Sequence, residues 1–302
     1  MMSMDALKNS IKTYLNTDAR PLEKALYAYH FDDEDVSVVI NELFKYQNLD
    51  GGFGHGLEPD FLLPKSSPIA SWTAANIIRD LSITNHLMID QLLFYLENCP
   101  HQTDGLFHTQ LEEMNDHPHA PWWHFDASKV ALNYNPTASL LGFMYRYMTS
   151  ENPTKRHVLK RIHKAIKYFL ENDVTEMHEL RCFVELYHDL LPLMDVEAFG
   201  KKLEKMITTV IEKDHLLWFS TYCVKPSHLI ISKETPGYMN HKSLIDLEHE
   251  LLLKNRNASG IWSVTWDWSA NDPKAFEYAK RAWQGIIAVS YLSRFKQFNF
   301  KG

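Results

Sequence analysis

Cysteine is scarce: Cys99, Cys182 and Cys223 are the three in 302 residues and share no paired spacing. That excludes a disulfide framework and a cysteine zinc cluster and points to a reducing, cytoplasmic location. No apolar run approaches a membrane span. The opening MMSMDALKNSIKTYL carries Asp5 and polar residues where a secretory leader needs an unbroken apolar core. Positive charge is in deficit, 31 Lys and Arg against 38 Asp and Glu leaving −7 with histidine neutral. This argues against nucleic acid as a partner and against an electrostatic grip on anionic lipid. Strand-like alternation is also rare. What is present is a composition 45% hydrophobic and 23% charged, enough to bury a large core. Eight Trp raise the aromatic share to 13%, more than a bare core requires.

Helix signals dominate. Asn135-Pro136, Asn152-Pro153 and Asp272-Pro273 each pair a side-chain acceptor at an N-cap with Pro at the first helical position, where its missing N–H is harmless. After Pro153, apolar Val158, Ile162, Ala165 and Phe169 recur at helical spacing with Lys155, Arg156, Lys160, Lys164 and Lys167 between them, predicting a helix half in water. By contrast 136–145 carries no charge, and the final helix is apolar around most of its circumference; both are expected to be buried. The stretch 67–78, rich in small residues, belongs with them. The chain reads as all-α.

Three segments place Gly and an aromatic in a turn after an amphipathic helix: KYQNLDGGFG (45–54), CPHQTDGLFH (99–108) and KNRNASGIWS (254–263). Gly105 follows Gly52 by 53 residues, and Gly260 follows Gly105 by 155, close to three further steps. This arithmetic fits a helical-hairpin repeat, with weaker copies near 171–180 and 212–221. Charged helices leading through such turns into apolar ones predict alternating outer and inner layers. One domain over 1–302, a double-layered ring of hairpins with parallel inner helices, closes them most economically.

QNLDGGFG resembles the Gln-rich aromatic turn of the squalene cyclase and protein prenyltransferase superfamily. Gln47, Asp50, Gly51, Gly52, Phe53 and Gly54 carry the likeness, and GIW with the nearby WDW is similar to a degenerate copy. The resemblance implies an α/α toroid and makes an isoprenoid-like ligand the first expectation. The chemistry of that superfamily transfers less well. Asp32-Asp33-Glu34-Asp35 departs from the D-x-D-D acid of class II cyclases and reads as acidic residues at a helix N-terminus. Thr221 stands where the zinc-binding Asp of prenyltransferases would precede Cys223, which leaves His228 without a defined set of partners. No aspartate-rich magnesium motif is present.

In such a ring every loop entering an inner helix opens at one end. Four loops of this kind, 54–68, 117–136, 218–229 and 263–273, hold five of the eight Trp. In the first, His55, Glu58 and Asp60 lie within six residues. Like charges held together in a low-dielectric cleft favour one carboxyl keeping its proton, which makes a general acid; the plainer role is capping a helix near Ser67 or bonding to amides of the loop. The second carries His117, His119, Trp122, Trp123 and His124, with spacings poor for a metal. The fourth alternates Trp266, Asp267 and Trp268, two indoles to one side and a carboxylate to the other.

The candidate catalytic residues are therefore Glu58, Asp60 and Asp267. Candidate ligand contacts are His55, His119, Trp122, Trp123, His124, Tyr222, Trp266, Trp268 and Trp283, with no metal and no cofactor required. The leading expectation is carboxylate acid/base chemistry on a small, largely apolar ligand in a central aromatic-lined cavity. A carbohydrate-active enzyme of helical toroid fold is the rival, since paired carboxylates with Trp platforms also serve sugar cleavage. A non-catalytic repeat scaffold is the third reading.

Overall fold

The structure is a computed structural model and describes residues 4–129 and 132–300. Val130 and Ala131 of the second loop, and the first three residues of the opening stretch, lie outside the described residues. Twelve α-helices and one two-residue-stranded hairpin are formed among the described residues. In chain order the helices are α1 (Met4–Thr17), α2 (Pro21–Phe31), α3 (Ser37–Leu43), α4 (Pro68–Leu81), α5 (Leu87–Asn98), α6 (Thr137–Tyr147), α7 (Pro153–Glu171), α8 (Met177–Leu190), α9 (Glu197–Val210), α10 (Pro226–Leu229), α11 (Tyr238–Lys254) and α12 (Pro273–Gln297). The protein is all-α, as its sequence predicts.

Two compact units are assembled from interleaved segments. Unit 1 takes the chain up to Lys45, Glu212–Ser227, and the chain from Met239 onward; unit 2 takes Tyr46–Ile211 and His228–Tyr238.

Unit 2 is a layered array. α4 packs on α6 and α6 on α8, while α7 and α9 pair behind them through the hairpins α6–α7 and α8–α9. The Trp72 indole meets Glu185 and Arg79 meets Asp189, so α4 and α8 run in the same direction. The Tyr134 amide, just before α6, donates to Glu179 near the start of α8, and Arg146 at the end of α6 reaches Asp189 at the end of α8. These three helices are thus parallel, and helix order alternates between layers. α6, free of charge up to Arg146 in its last turn, is buried along almost its whole length, while α7 buries Val158, Ile162, Ala165 and Phe169 and leaves its basic side in water.

In unit 1, α12 packs on α1 and α2, bringing the first and last helices of the chain together. Leu7, Ile11, Tyr27, Trp262, Val289, Leu292 and Phe295 share this core.

Caps follow the side chains that can accept. Asn152 Oδ1 accepts from the Lys155 amide at 2.8 Å, Asp272 Oδ1 from the Lys274 and Ala275 amides at 3.1 and 3.0 Å, and Ser67 Oγ from the Ala70 amide at 3.1 Å. Asn135 departs from the expected role. The Asn135-Pro136 bond is cis, α6 begins one residue later at Thr137, and no side chain caps it. The Thr137 hydroxyl instead accepts from the Phe107 amide at 2.8 Å, tying α6 to the hairpin. In the acidic run, Asp35 accepts from the Ser37 amide at the start of α3, whereas Asp32 ends α2 and pairs with Lys12 at 2.8 Å.

The turns repeat in hydrogen bonding as well as in sequence. The Asn48 amide donates to the Gly52 carbonyl and the Gly51 amide to the Asn48 carbonyl; Asn257, Ile261 and Gly260 form the same pair of bonds. Gly51 and Gly260 occupy matching left-handed positions, at φ of 89° and 75°, and the following aromatics, Phe53 and Trp262, are both buried. Gly105 (φ 79°) forms the corresponding turn as a tight hairpin pairing Gln102 with Phe107. Each turn rests on a helix: Gly51 against Gln91 of α5, Gly105 against Arg161 of α7, Gly260 against Ser10 of α1.

Candidate functional site

Within unit 2 the first two loops are laced together. The Ala120 amide donates to the Asp60 carbonyl at 2.8 Å, the Leu62 amide to the Pro118 carbonyl at 2.9 Å, and Phe61 faces His119 in an antiparallel bridge. Residues 54–66 form a closed loop whose neck is the Ser67 amide on the Phe53 carbonyl at 2.9 Å. Asn48 Nδ2 reaches across it to the Pro64 carbonyl and the Ser66 hydroxyl, and Gly54 lies so near the Lys65 carbonyl that a side chain would collide with it. Such a loop is held by its own groups rather than by a neighbouring helix, a common form for functional segments.

Glu58 and Asp60 are buried at the centre of this loop, 6% and 3% exposed. Glu58 Oε1 accepts from the Asp60 amide at 3.3 Å, while the helix start nearby is capped by Ser67 itself. Ser67 thus caps α4, and Glu58 takes the plainer of its expected roles, bonding to an amide of its own loop. His55 sits at φ 56° and donates from Nε2 to Asn48 Oδ1 at 2.9 Å on the exposed side of the loop.

The second loop supplies an imidazole pair. His119 Nδ1 lies 2.7 Å from the His117 carbonyl, which can only accept, so Nδ1 carries the proton. In the neutral ring Nε2 is then a lone pair, and it meets His124 Nδ1 at 3.1 Å as acceptor. With its proton on Nδ1, His124 offers an Nε2 lone pair at the surface. The rings stack with centroids 5.4 Å apart. Asn115 grips the Phe125 backbone through both its amide groups, and Gln110 Nε2 donates to the Trp122 carbonyl at 2.7 Å. The segment is thereby stiffened. Trp123 lies edge-on to Phe61 at 5.2 Å, whereas Trp122 is 44% exposed, so one indole packs and the other faces out.

The remaining candidates lie in unit 1. Trp266 lines an open cleft of about 380 Å³ together with Ser263, Thr265, Asp267, Lys280 and Gln284, and stands edge-to-face with Trp283 at 5.4 Å. Asp267 is exposed, and the hydroxyl and amide of Ser269 hold its carboxyl below the usual range, which keeps it ionised. Trp268 is 2% exposed against Phe276 and belongs to the core. Tyr222 is 59% exposed. Glu58 and Asp267 thus fall in different units.

One constellation escapes the sequence analysis. Arg181, Glu185 and Asp189 recur every four residues along α8 and project a line of charge into the packed layer. Glu185 accepts from the Trp72 indole and from Arg181 Nε, both at 2.7 Å. Asp189 is fully buried and accepts from Arg79 Nη2 at 2.6 Å, with Arg146 Nη1 at 3.3 Å. Burial pushes the Glu185 carboxyl up, but Arg181 and Arg79 outweigh it and hold the group below its ordinary range. The i, i+4 recurrence of charge on a helix otherwise buried on that side was the available signal. Among the described residues, no group of three or more His, Cys, Asp and Glu side chains is placed to hold a metal ion, and no helix is long and apolar enough to cross a membrane.

Fold and site together define an all-helical protein of repeated hairpins with a carboxylate- and imidazole-bearing loop pair. Comparison with protein-family models, with curated proteins and with solved structures finds no match.

Proposed function

We propose that the chain is a cytoplasmic α/α toroid, a divergent relative of the terpenoid cyclase-like proteins, that binds and transforms a small, largely apolar ligand at the joined loops 54–66 and 117–125. The parallel α4, α6 and α8, the alternating layers and the matched turns at Gly51 and Gly260 support the ring. The observation that carries the functional reading is the burial of Glu58 and Asp60 in a loop whose backbone is bonded to Pro118 and Ala120, on either side of His119. Carboxyl groups are expensive to withdraw from water unless hydrogen-bonded, and a loop that retains two of them supports the reading.

In this reading Glu58 or Asp60 moves a proton, His124 Nε2 is an accessory acceptor held in its tautomer by His119, and Trp122 covers an apolar face of the ligand. Mass spectrometry of material co-purified with the native protein and with Glu58→Gln and Asp60→Asn variants tests it. A shared ligand that only the native protein converts is expected. Absence of any bound molecule, with no thermal shift across lipid and glycan panels, would defeat it.

One observation favours carbohydrate chemistry as a second reading. The cleft beside Trp266 is open and offers the hydroxyls of Ser263 and Thr265 together with Asp267 and Lys280, a mixture suited to a sugar ring. A glycan-specific thermal shift lost in Trp266→Ala would move the assignment there.

A further inference from the structure

The outer face of α7 carries a row of one sign of charge. Arg156, Lys160, Lys164 and Lys167, with His157 and His163, are all exposed along this 19-residue helix. At 1.5 Å per residue the cations form a row about 16 Å long. Lys167 has a loose partner in Glu171 at 3.8 Å, and Lys155 at the base of the helix pairs with Glu151 at 3.0 Å. Among the described residues Arg156, Lys160 and Lys164 pair with no carboxylate. Arg161, by contrast, turns inward and donates to the Gly105 carbonyl at 2.7 Å.

An ordinary solvated helix face mixes its signs, and α9, α11 and α12 do so. Lys201 pairs with Glu197 on α9, Lys242 with Asp246 on α11, and Lys280 and Arg281 with Glu277 on α12. On α7, among the described residues, Arg156, Lys160 and Lys164 stand in succession with no carboxylate beside them, a row complementary to an opposite charge from outside.

We propose that this face docks the protein on an anionic membrane surface. A straight row of cations on a convex helix matches a plane of headgroups. Three of the four permanent cations are lysines, strongly hydrated point charges, rather than the planar forks that suit bidentate nucleic acid recognition. The helix also offers no stacking platform for bases: Tyr168 leans on Tyr134 and Phe183, and Phe169 is buried. Leu170, 40% exposed at the end of the row, adds an apolar foot. The net charge of −7 averages over this stripe, and the rest of an acidic surface is repelled by the same headgroups, so that α7 faces them.

The test is co-sedimentation of the full chain with phosphatidylcholine vesicles, with and without phosphatidylglycerol. Binding is expected only with phosphatidylglycerol and is expected to fall at high salt. Lys160→Ala and Lys164→Ala should each weaken partitioning about fivefold, while Lys201→Ala and Lys205→Ala on α9 leave it unchanged. All four positions are exposed, and equal thermal midpoints will show that the variants remain folded. Equal partitioning to both vesicle types, no partitioning, or loss of polyuridylate binding rather than vesicle binding in the α7 variants would overturn the proposal. None of these results depends on the loop site, whose ligand is read separately by mass spectrometry.

Discussion

One buried polar cluster in unit 2 and one in unit 1 are satisfied by opposite means. In unit 2, charges on α4, α6 and α8 neutralise one another: Asp189 lies between Arg79 and Arg146, and Glu185 beside Arg181. In unit 1, His249 is fully buried among Phe295, Phe298 and Phe300, and its Nε2 accepts from Arg294 Nε at 3.1 Å. Burial first, then the Arg294 charge, push that imidazole down to about 3. A matched ion network fixes the mutual register of three helices, because every charge must keep its partner. A neutral ring held among aromatics tolerates sliding but not protonation.

The difference can be broken most severely at Asp189. Its replacement by Ala leaves two arginines facing a void and is expected to cost about 3–5 kcal/mol, read by urea denaturation. The isosteric Asp189→Asn should recover part of that loss. Substituting the glycines of the matched turns ranks next. Gly51→Ala and Gly260→Ala each carry about 1–2 kcal/mol for the left-handed backbone. The added methyl of the former collides with the Gln91 carbonyl, whereas that of the latter meets the Ser10 side chain at 2.9 Å. Unit 2 should therefore suffer the larger drop in thermal midpoint.

The pH dependence tests the neutral ring of unit 1 beside a buried imidazole of unit 2. His249 has a folded-state pKa near 3, and His188 of unit 2, lowered chiefly by burial and then by Arg181, is at about 4. Both lie below the unfolded value near 6.5. The unfolded chain therefore takes up protons first as pH falls, and stability present above about 6.5 is lost on acidification toward pH 4. Each histidine should contribute a slope of about 1.4 kcal/mol per pH unit in that window. Denaturation at a series of pH values, repeated with His249→Phe and His188→Gln, should show each slope vanish separately. The smallest effect is at the caps: Asn152→Ala and Asp272→Ala should cost about 1 kcal/mol each. Asp272, which receives two amides, should be the more costly.

Local chemistry carried most of what could be foreseen. Asn152 and Asp272 cap as their following prolines predict, because the bond spans three residues and needs nothing distant. Gly51, Gly105 and Gly260 announce their turns for the same reason. Asn135-Pro136 has the identical signature and fails, since the start of α6 is set by the hairpin that Thr137 holds through Phe107. The α8 network went unseen because Arg181, Glu185 and Asp189 look in sequence like a solvated stripe; only the arrival of Arg79 and Trp72, more than a hundred residues earlier, makes them interior. Glu58, Asp60, His119 and His124 were recognisable as unusual residues. Their meeting depends on backbone bonds between Asp60 and Ala120 and between Leu62 and Pro118, which no side-chain pattern records.

The pairing of α1 with α12 has a further consequence during synthesis. Leu7 and Ile11 are made about 280 residues before their packing partners Val289 and Leu292 leave the ribosome. Most of unit 2 is a continuous stretch and can fold while translation proceeds. The opening helices must wait with their greasy sides uncovered, and nascent chains stalled before residue 273 should be the ones that chaperones hold.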